Sequence, residues 1–116
     1  MNRMVTRLIV VTPAALAAFG GATPAQADDG HYIYVYGGNE ERGRAKFFDG
    51  STLLRVCDWN LDGNRVRAHL RSYTGTIYYS GWAPSQGCHD EGHSSSIVAY
   101  RVCAENYGCS AWHNRY

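Results

Sequence analysis

The sequence predicts an all-β protein, a small antiparallel β-sandwich with two disulfides, preceded by a cleaved signal peptide. Three observations predict it. Apolar and polar residues alternate with period two in several short runs, the pattern of half-buried strands in an antiparallel sheet. Turn-forming residues recur at about eight- to twelve-residue spacing, as sandwiches and barrels require. Four cysteines, an even count, follow an N-terminal secretory segment, which reads as two disulfides in an oxidising compartment.

The elements follow in order. Residues 1–27 combine a basic start with Arg3 and Arg7, an apolar run from Leu8 to Val11, and a closing Ala25-Gln26-Ala27. That is the small-x-small pattern that signal peptidase accepts. The apolar run is too short, and too interrupted by Pro13 and Gly20-Gly21, to read as a membrane span. Cleavage after Ala27 and a secreted, extracellular mature chain from Asp28 to Tyr116 are expected. That chain has about 89 residues and one domain's length. So small a domain has a marginal core without staples.

Residues 31–37 alternate Ile33 and Val35 on one face with Tyr32, Tyr34 and Tyr36 on the other. Residues 37–43 are polar and glycine-rich, so they read either as a hairpin loop or as a hinge that frees the first strand. The expected division is an N-terminal extended strand and Gly-rich hinge over 28–42, then the sandwich over 43–116. Short strands are expected at 44–48 and 52–59. Residues 65–70 alternate cleanly, with Val66, Ala68 and Leu70 inward and Arg65, Arg67 and His69 outward. Further strands are expected at 76–82, 96–103 and 109–113. No window after residue 27 supports a helix.

Four cysteines allow three connectivities. Asn106-Tyr107-Gly108 makes a turn between Cys103 and Cys109 and so favours that pair, leaving Cys57 with Cys88. Zinc-thiolate chemistry is disfavoured, because no Cys-x-x-Cys pair occurs. After cleavage nine Lys/Arg face ten Asp/Glu, so the mature chain is close to neutral. The basic cluster of Arg65, Arg67, His69 and Arg71 is narrower than the broad basic face of a nucleic-acid binder. Neither nucleic acid nor membrane is expected as a partner.

Residues 58–63 match the start of an EF-hand calcium loop. The twelfth position is His69 instead of a bidentate Glu, and strands flank the loop instead of helices. A turn built on Asp62-Gly63 is the simpler reading. Residues 88–93 pack His89, Asp90, Glu91 and His93 together, but Gly87, Gly92 and the serines after them make this a solvated, disulfide-anchored loop. No G-x-S-x-G elbow occurs, and the acids all sit in expected turns. No catalytic residue, metal ligand or cofactor is expected, and the chain reads as a non-enzyme.

Nine tyrosines and three tryptophans are the other compositional outlier. Trp59, Trp82 and Trp112 are expected to complete a thin core. Tyr32, Ile33, Tyr34, Val35 and Tyr36 are the expected partner-binding strand, docking by strand addition.

Gly43-x-Ala45-x-Phe47, Val56-Cys57-Asp58, Asp62-Gly63, Arg101-Val102-Cys103 and Cys109-Ser110-x-Trp112 resemble the small secreted β-sandwich proteins of Streptomyces-type actinobacteria. The resemblance covers residues 43–112. It implies a Cys103–Cys109 bridge as the more regular of the two. Some proteins of this kind are similar to the adaptor subunit of umbrella toxin particles, which joins a large toxin to a lectin-bearing subunit through an N-terminal extended segment. The resemblance therefore implies a toxin-complex adaptor that binds secreted proteins through residues 28–37. Two alternatives stand beside it. One is a secreted inhibitor of an extracellular hydrolase, presenting Trp82-Ala83-Pro84. The other is a carbohydrate-binding module using exposed aromatics.

Overall fold

The computed structural model describes residues 29–116, so the expected signal peptide over 1–27 lies outside the described residues. Among the described residues nine strands form two antiparallel sheets. They are β1 (Ile33–Gly37), β2 (Glu40–Phe47), β3 (Leu53–Asp58), β4 (Val66–Ser72), β5 (Ile77–Tyr79), β6 (Gly87–Gly92), β7 (Ile97–Ala104), β8 (Gly108–Cys109) and β9 (His113–Asn114). One sheet has the order β1-β2-β3-β6; the other runs β9-β7-β4-β5, with β8 also on β7. Among the described residues no helix is long and apolar enough to cross a membrane.

The alternation seen in the sequence sets the two faces. In β4, Val66, Ala68 and Leu70 are fully buried, while Arg67, His69 and Arg71 lie half-buried on the outside. In β2, Gly43, Ala45 and Phe47 face inward at the same period. A Cβ on Gly43 would lie 2.5 Å from the Val66 side chain, so only glycine lets the sheets approach there. Register shifts opposite Ser72 let Ile97 and Tyr100, three residues apart, both enter the core. Fully burying Phe47, Leu54 or Leu70 contributes about 1.5–3 kcal/mol each.

Both disulfides join residues directly opposite each other on neighbouring strands. Cys57–Cys88 links β3 to β6, and Cys103–Cys109 links β7 to β8. The pairing favoured by the turn is the observed one. Two disulfides indicate an oxidising, extracellular-type environment.

Three expectations are corrected. The Gly-rich stretch is a hairpin turn and not a hinge. Gly38 and Asn39 both take positive φ, 62° and 70°, as a two-residue type I′ turn requires, and β1 pairs with β2 from Ile33↔Ala45 to Gly37↔Glu40. Residues 28–42 are therefore not a separate unit: the described residues form one sandwich with β1 inside it. The histidine-rich stretch is a strand, β6, and not a loop. Its composition gives little β signal, but pairing with β3, the Cys57–Cys88 bridge and a two-pronged Arg55–Asp90 contact hold it extended. None of the tryptophans is in the core. Trp59 is half exposed, and Trp82 and Trp112 lie half-buried on the outside. Small residues such as Ala45, Ala68, Ala83 and Ala104 line the interior, and sheets that close leave no room for an indole.

Candidate functional site: the β1 edge and the two outer faces

β1 ends its sheet, and among the described residues no strand pairs with its other side. The five expected partner-binding residues divide by the period of the strand. Val35 is buried and Ile33 packs against the core. Tyr32, Tyr34 and Tyr36 form a row outside, with ring centroids 6.4 Å and 6.1 Å apart. Tyr34 and Tyr36 are exposed; Tyr32 is half-buried. Side-chain contact with a partner therefore falls to the tyrosines, while Ile33 and Val35 offer only backbone.

β1 is also held at both ends, by residues the sequence did not single out. At its start, Asp29 accepts two hydrogen bonds from the guanidinium of Arg115, at 3.1 Å and 2.7 Å. Arg115 is almost wholly buried over the Phe47 ring and also donates to the carbonyls of Ile97 and Ser51. At its end, Arg42 donates to the Gly37 carbonyl, and the Tyr107 ring packs against both Gly37 and the Arg42 guanidinium. Arg115 is the next-to-last residue, so no sequence pattern marks it as buried.

On the outer face of the first sheet each guanidinium beside the tyrosine row meets a carboxylate. Arg44 grips Glu41 with two hydrogen bonds of 2.7 Å, and Arg55 grips Asp90 at 2.8 Å and 2.9 Å. The Arg55 hydrogen bonds hold the Asp90 carboxyl below its ordinary pKa despite some desolvation.

The outer face of the second sheet differs. Arg65 and Arg67 lie over Trp82 at 4.1 Å and 4.3 Å, and Arg67 also lies 4.4 Å from the Tyr79 ring centre. Arg71 and Arg101 both lie over Trp112, at 4.7 Å and 4.6 Å. His69 sits edge-on to Tyr79, and Arg101 donates to its Nδ1. Burial and then the Arg101 and Arg67 charges lower the His69 pKa below its ordinary value. A shallow cleft of about 240 Å³ opens beside Arg67, His69 and Trp82 and reaches the Cys103–Cys109 bridge. His69 Nδ1 is 3.5 Å from the Cys103 sulfur, but a sulfur in a disulfide is no thiolate ligand.

The two acid-rich motifs use their groups internally. Asp58 accepts from the Asn60 N–H and Asp62 from the Asn64 N–H, and Asp62 also takes a hydrogen bond from Arg42. Burial raises the Asp58 pKa. The two-residue period of β6 brings His89 and Glu91 to one side, with His93 just past the strand's end, and both imidazoles hydrogen-bond the Glu91 carboxylate. Burial opposes charge on Glu91. The Gly81 N–H and the two histidines outweigh that and leave its pKa lowered.

Comparison with protein-family models, with curated proteins and with solved structures finds no match for this chain.

Proposed function

We propose that this chain is a secreted, non-catalytic protein-binding module and, in the most concrete form, an adaptor subunit of an extracellular antibacterial toxin complex. The observation that supports the reading is the β1 edge. Its five residues contain no proline and no charge, its outer side is unpaired among the described residues, and exposed Tyr34 and Tyr36 stand beside it. Bare strand edges are templates for pairing unless proline, charge or a cover blunts them. A partner strand laid along such an edge gains main-chain hydrogen bonds, and alternate side chains give specificity. Tyrosines add broad apolar contact with a polar tip. The partner brings the strand and β1 accepts it, because Asp29, Arg115 and Tyr107 keep β1 in its own sheet. A lectin-bearing subunit and a large toxin subunit are the partners that the resemblance implies.

The inhibitor and carbohydrate alternatives have less support. Ala83 is buried and Trp82 lies under two guanidinium groups, so neither offers a projecting anchor, and of residues 82–84 only Pro84 is exposed. The same guanidinium groups cover the face of Trp82 that a sugar would stack on, while Trp59 stays half exposed.

The test uses the full secreted chain, tagged after Tyr116 and recovered from culture supernatant with whatever it binds. Amide exchange at residues 32–37 is expected to slow in the recovered complex. Tyr34→Lys with Tyr36→Lys is expected to cut partner recovery by about tenfold, the scale of an interface hot spot, while Tm changes little. A recovered partner that leaves β1 exchange unchanged overturns the reading. Deletion of residues 28–37 is the wrong variant, since it removes Asp29, Ile33 and Val35 from the ion pair and the core.

A further inference from the structure

The outer face of the second sheet carries three cations without a carboxylate. Among the described residues Arg67, Arg71 and Arg101 make no ion pair; Glu105, the acid on this side, is engaged by Arg65. The first sheet's face shows that this is not general to the protein, since Arg44 and Arg55 there are each paired two-pronged. The three guanidinium groups instead lie on aromatic rings: Tyr79 and Trp82 under Arg67, and Trp112 under Arg71 and Arg101. A guanidinium stacked on a ring has its flat side satisfied and its side chain held in place. The N–H edges of Arg67 and Arg71 remain for an acceptor, and that fork matches a carboxylate; Arg101 already turns its Nε and Nη2 to His69 Nδ1 and offers its remaining N–H groups.

We propose that this face is a second docking surface, separate from the β1 edge, whose occupant is an extended acidic segment of a partner protein seated across Arg67, Arg71 and Arg101. Three observations select that occupant. Arg67, His69 and Arg71 follow each other at every second residue of β4, a repeat of about 6.6–6.8 Å. Alternate acidic residues on an extended segment repeat at the same distance. The ring faces are occupied by guanidinium groups, which disfavours the open stacking that a sugar or a nucleobase uses. Residues 29–116 carry nine Lys/Arg and nine Asp/Glu. A long polyanion would meet no net attraction from the molecule as a whole, whereas a short segment meets only this face, within one Debye length of about 8 Å. Burial first, and then the Arg101 and Arg67 charges, lower the His69 pKa, and the second of these causes fits a face rich in positive charge.

The proposal does not rest on strand addition at β1, and its test leaves that edge out. The probe is a fluorescent synthetic peptide of alternating Glu and Thr, titrated with the full secreted chain at low salt. A Lys-Thr peptide, a polyuronate and single-stranded DNA serve as comparisons. Indole N–H resonances report the site on the unaltered protein. The Glu-Thr peptide is expected to shift those of Trp82 and Trp112 and to leave Trp59 in place. Arg67→Gln, Arg71→Gln and Arg101→Gln are each expected to weaken binding by roughly three- to tenfold, the scale of a partly exposed charged hydrogen bond. Arg44→Gln, on the paired face, is expected to change it by less than about twofold. Absence of peptide binding, shifts confined to Trp59, or equal binding of the Lys-Thr peptide overturns the proposal. Tighter binding of the polyuronate or the DNA also overturns it and assigns the face to that polymer.

Discussion

The two outer faces are built from the same residue types and put them to different use. Beside the tyrosine row, Arg44 and Arg55 close on Glu41 and Asp90, so each guanidinium ends its reach within its own sheet, while Lys46 lies on the Tyr32 and Phe48 rings. Across the sandwich, Arg67, Arg71 and Arg101 lie on Tyr79, Trp82 and Trp112 and make no ion pair among the described residues, the nearby Glu105 being gripped by Arg65. Either arrangement fixes a long side chain against a flat sheet. A carboxylate consumes the guanidinium's N–H edges, and a ring consumes only its flat side. What differs between the faces is therefore what each has left for a partner: aromatic surface and a bare strand edge on one, hydrogen-bond donors on the other.

The largest expected contrast comes from the disulfides, one on each face. Replacing Cys57 and Cys88 with alanine should cost about 3.7 kcal/mol, and replacing Cys103 and Cys109 about 2.4 kcal/mol, because the first loop is longer in the chain-entropy model. Urea unfolding of the two double variants measures the difference. Equal losses would mean that strand pairing, and not chain entropy, dominates both bridges.

Removing what holds the cations gives a smaller contrast. Trp112→Leu takes the ring from under both Arg71 and Arg101 and should cost about 1–2 kcal/mol, from two cation–π contacts of roughly 0.5–1 kcal/mol each. Asp90→Asn frees Arg55 and should cost less than about 1 kcal/mol. Raising the salt to about 0.5 M should shrink the Asp90 effect most, since exposed ion pairs are screened. A larger loss at Asp90 than at Trp112 would reverse the assignment of the two faces.

The smallest expected effect is in pH. His69 has a folded pKa below its unfolded value, so the folded state resists its protonation. The unfolded chain takes up the proton first as pH falls through about 6.5, and stability declines from there. His69→Gln should remove that part of the decline in a Tm series from pH 8 to 5. On the opposite face Asp90 has a lowered folded pKa, so its contribution is present above the unfolded value and is lost only as pH falls below about 4. Identical pH profiles for His69→Gln and the unaltered protein would show that the second face is not electrostatically strained.

Strand content, sheet polarity and the favoured Cys103–Cys109 pair were legible in the sequence, because each depends on near neighbours; Cys57–Cys88, 31 residues apart, followed only as the pair left over. The alternation in residues 65–70 fixes which side of β4 is wet whatever lies across from it. The turn at Asn106-Tyr107-Gly108 brings Cys103 to Cys109 locally. The candidate site was legible only in part. Tyr32, Tyr34 and Tyr36 were correctly assigned to one outer face, yet Gly38-Asn39 permits either a hinge or a turn until a second strand decides. Residues 87–92 show little β propensity, and only β3 makes them a strand. Nothing local marks Arg115 for burial, since its partners Asp29, Ser51 and Ile97 are far away in the chain. Likewise only the completed sheets show that Arg44 and Arg55 find acids while Arg67, Arg71 and Arg101 find rings. The sequence by itself thus determined the all-β class and the inward and outward residues of β1 and β4, through a two-residue period that those strands carry alone. The tertiary structure decided that β1 is an edge inside the sandwich and which cations remain unpaired, because both depend on what distant segments place beside them.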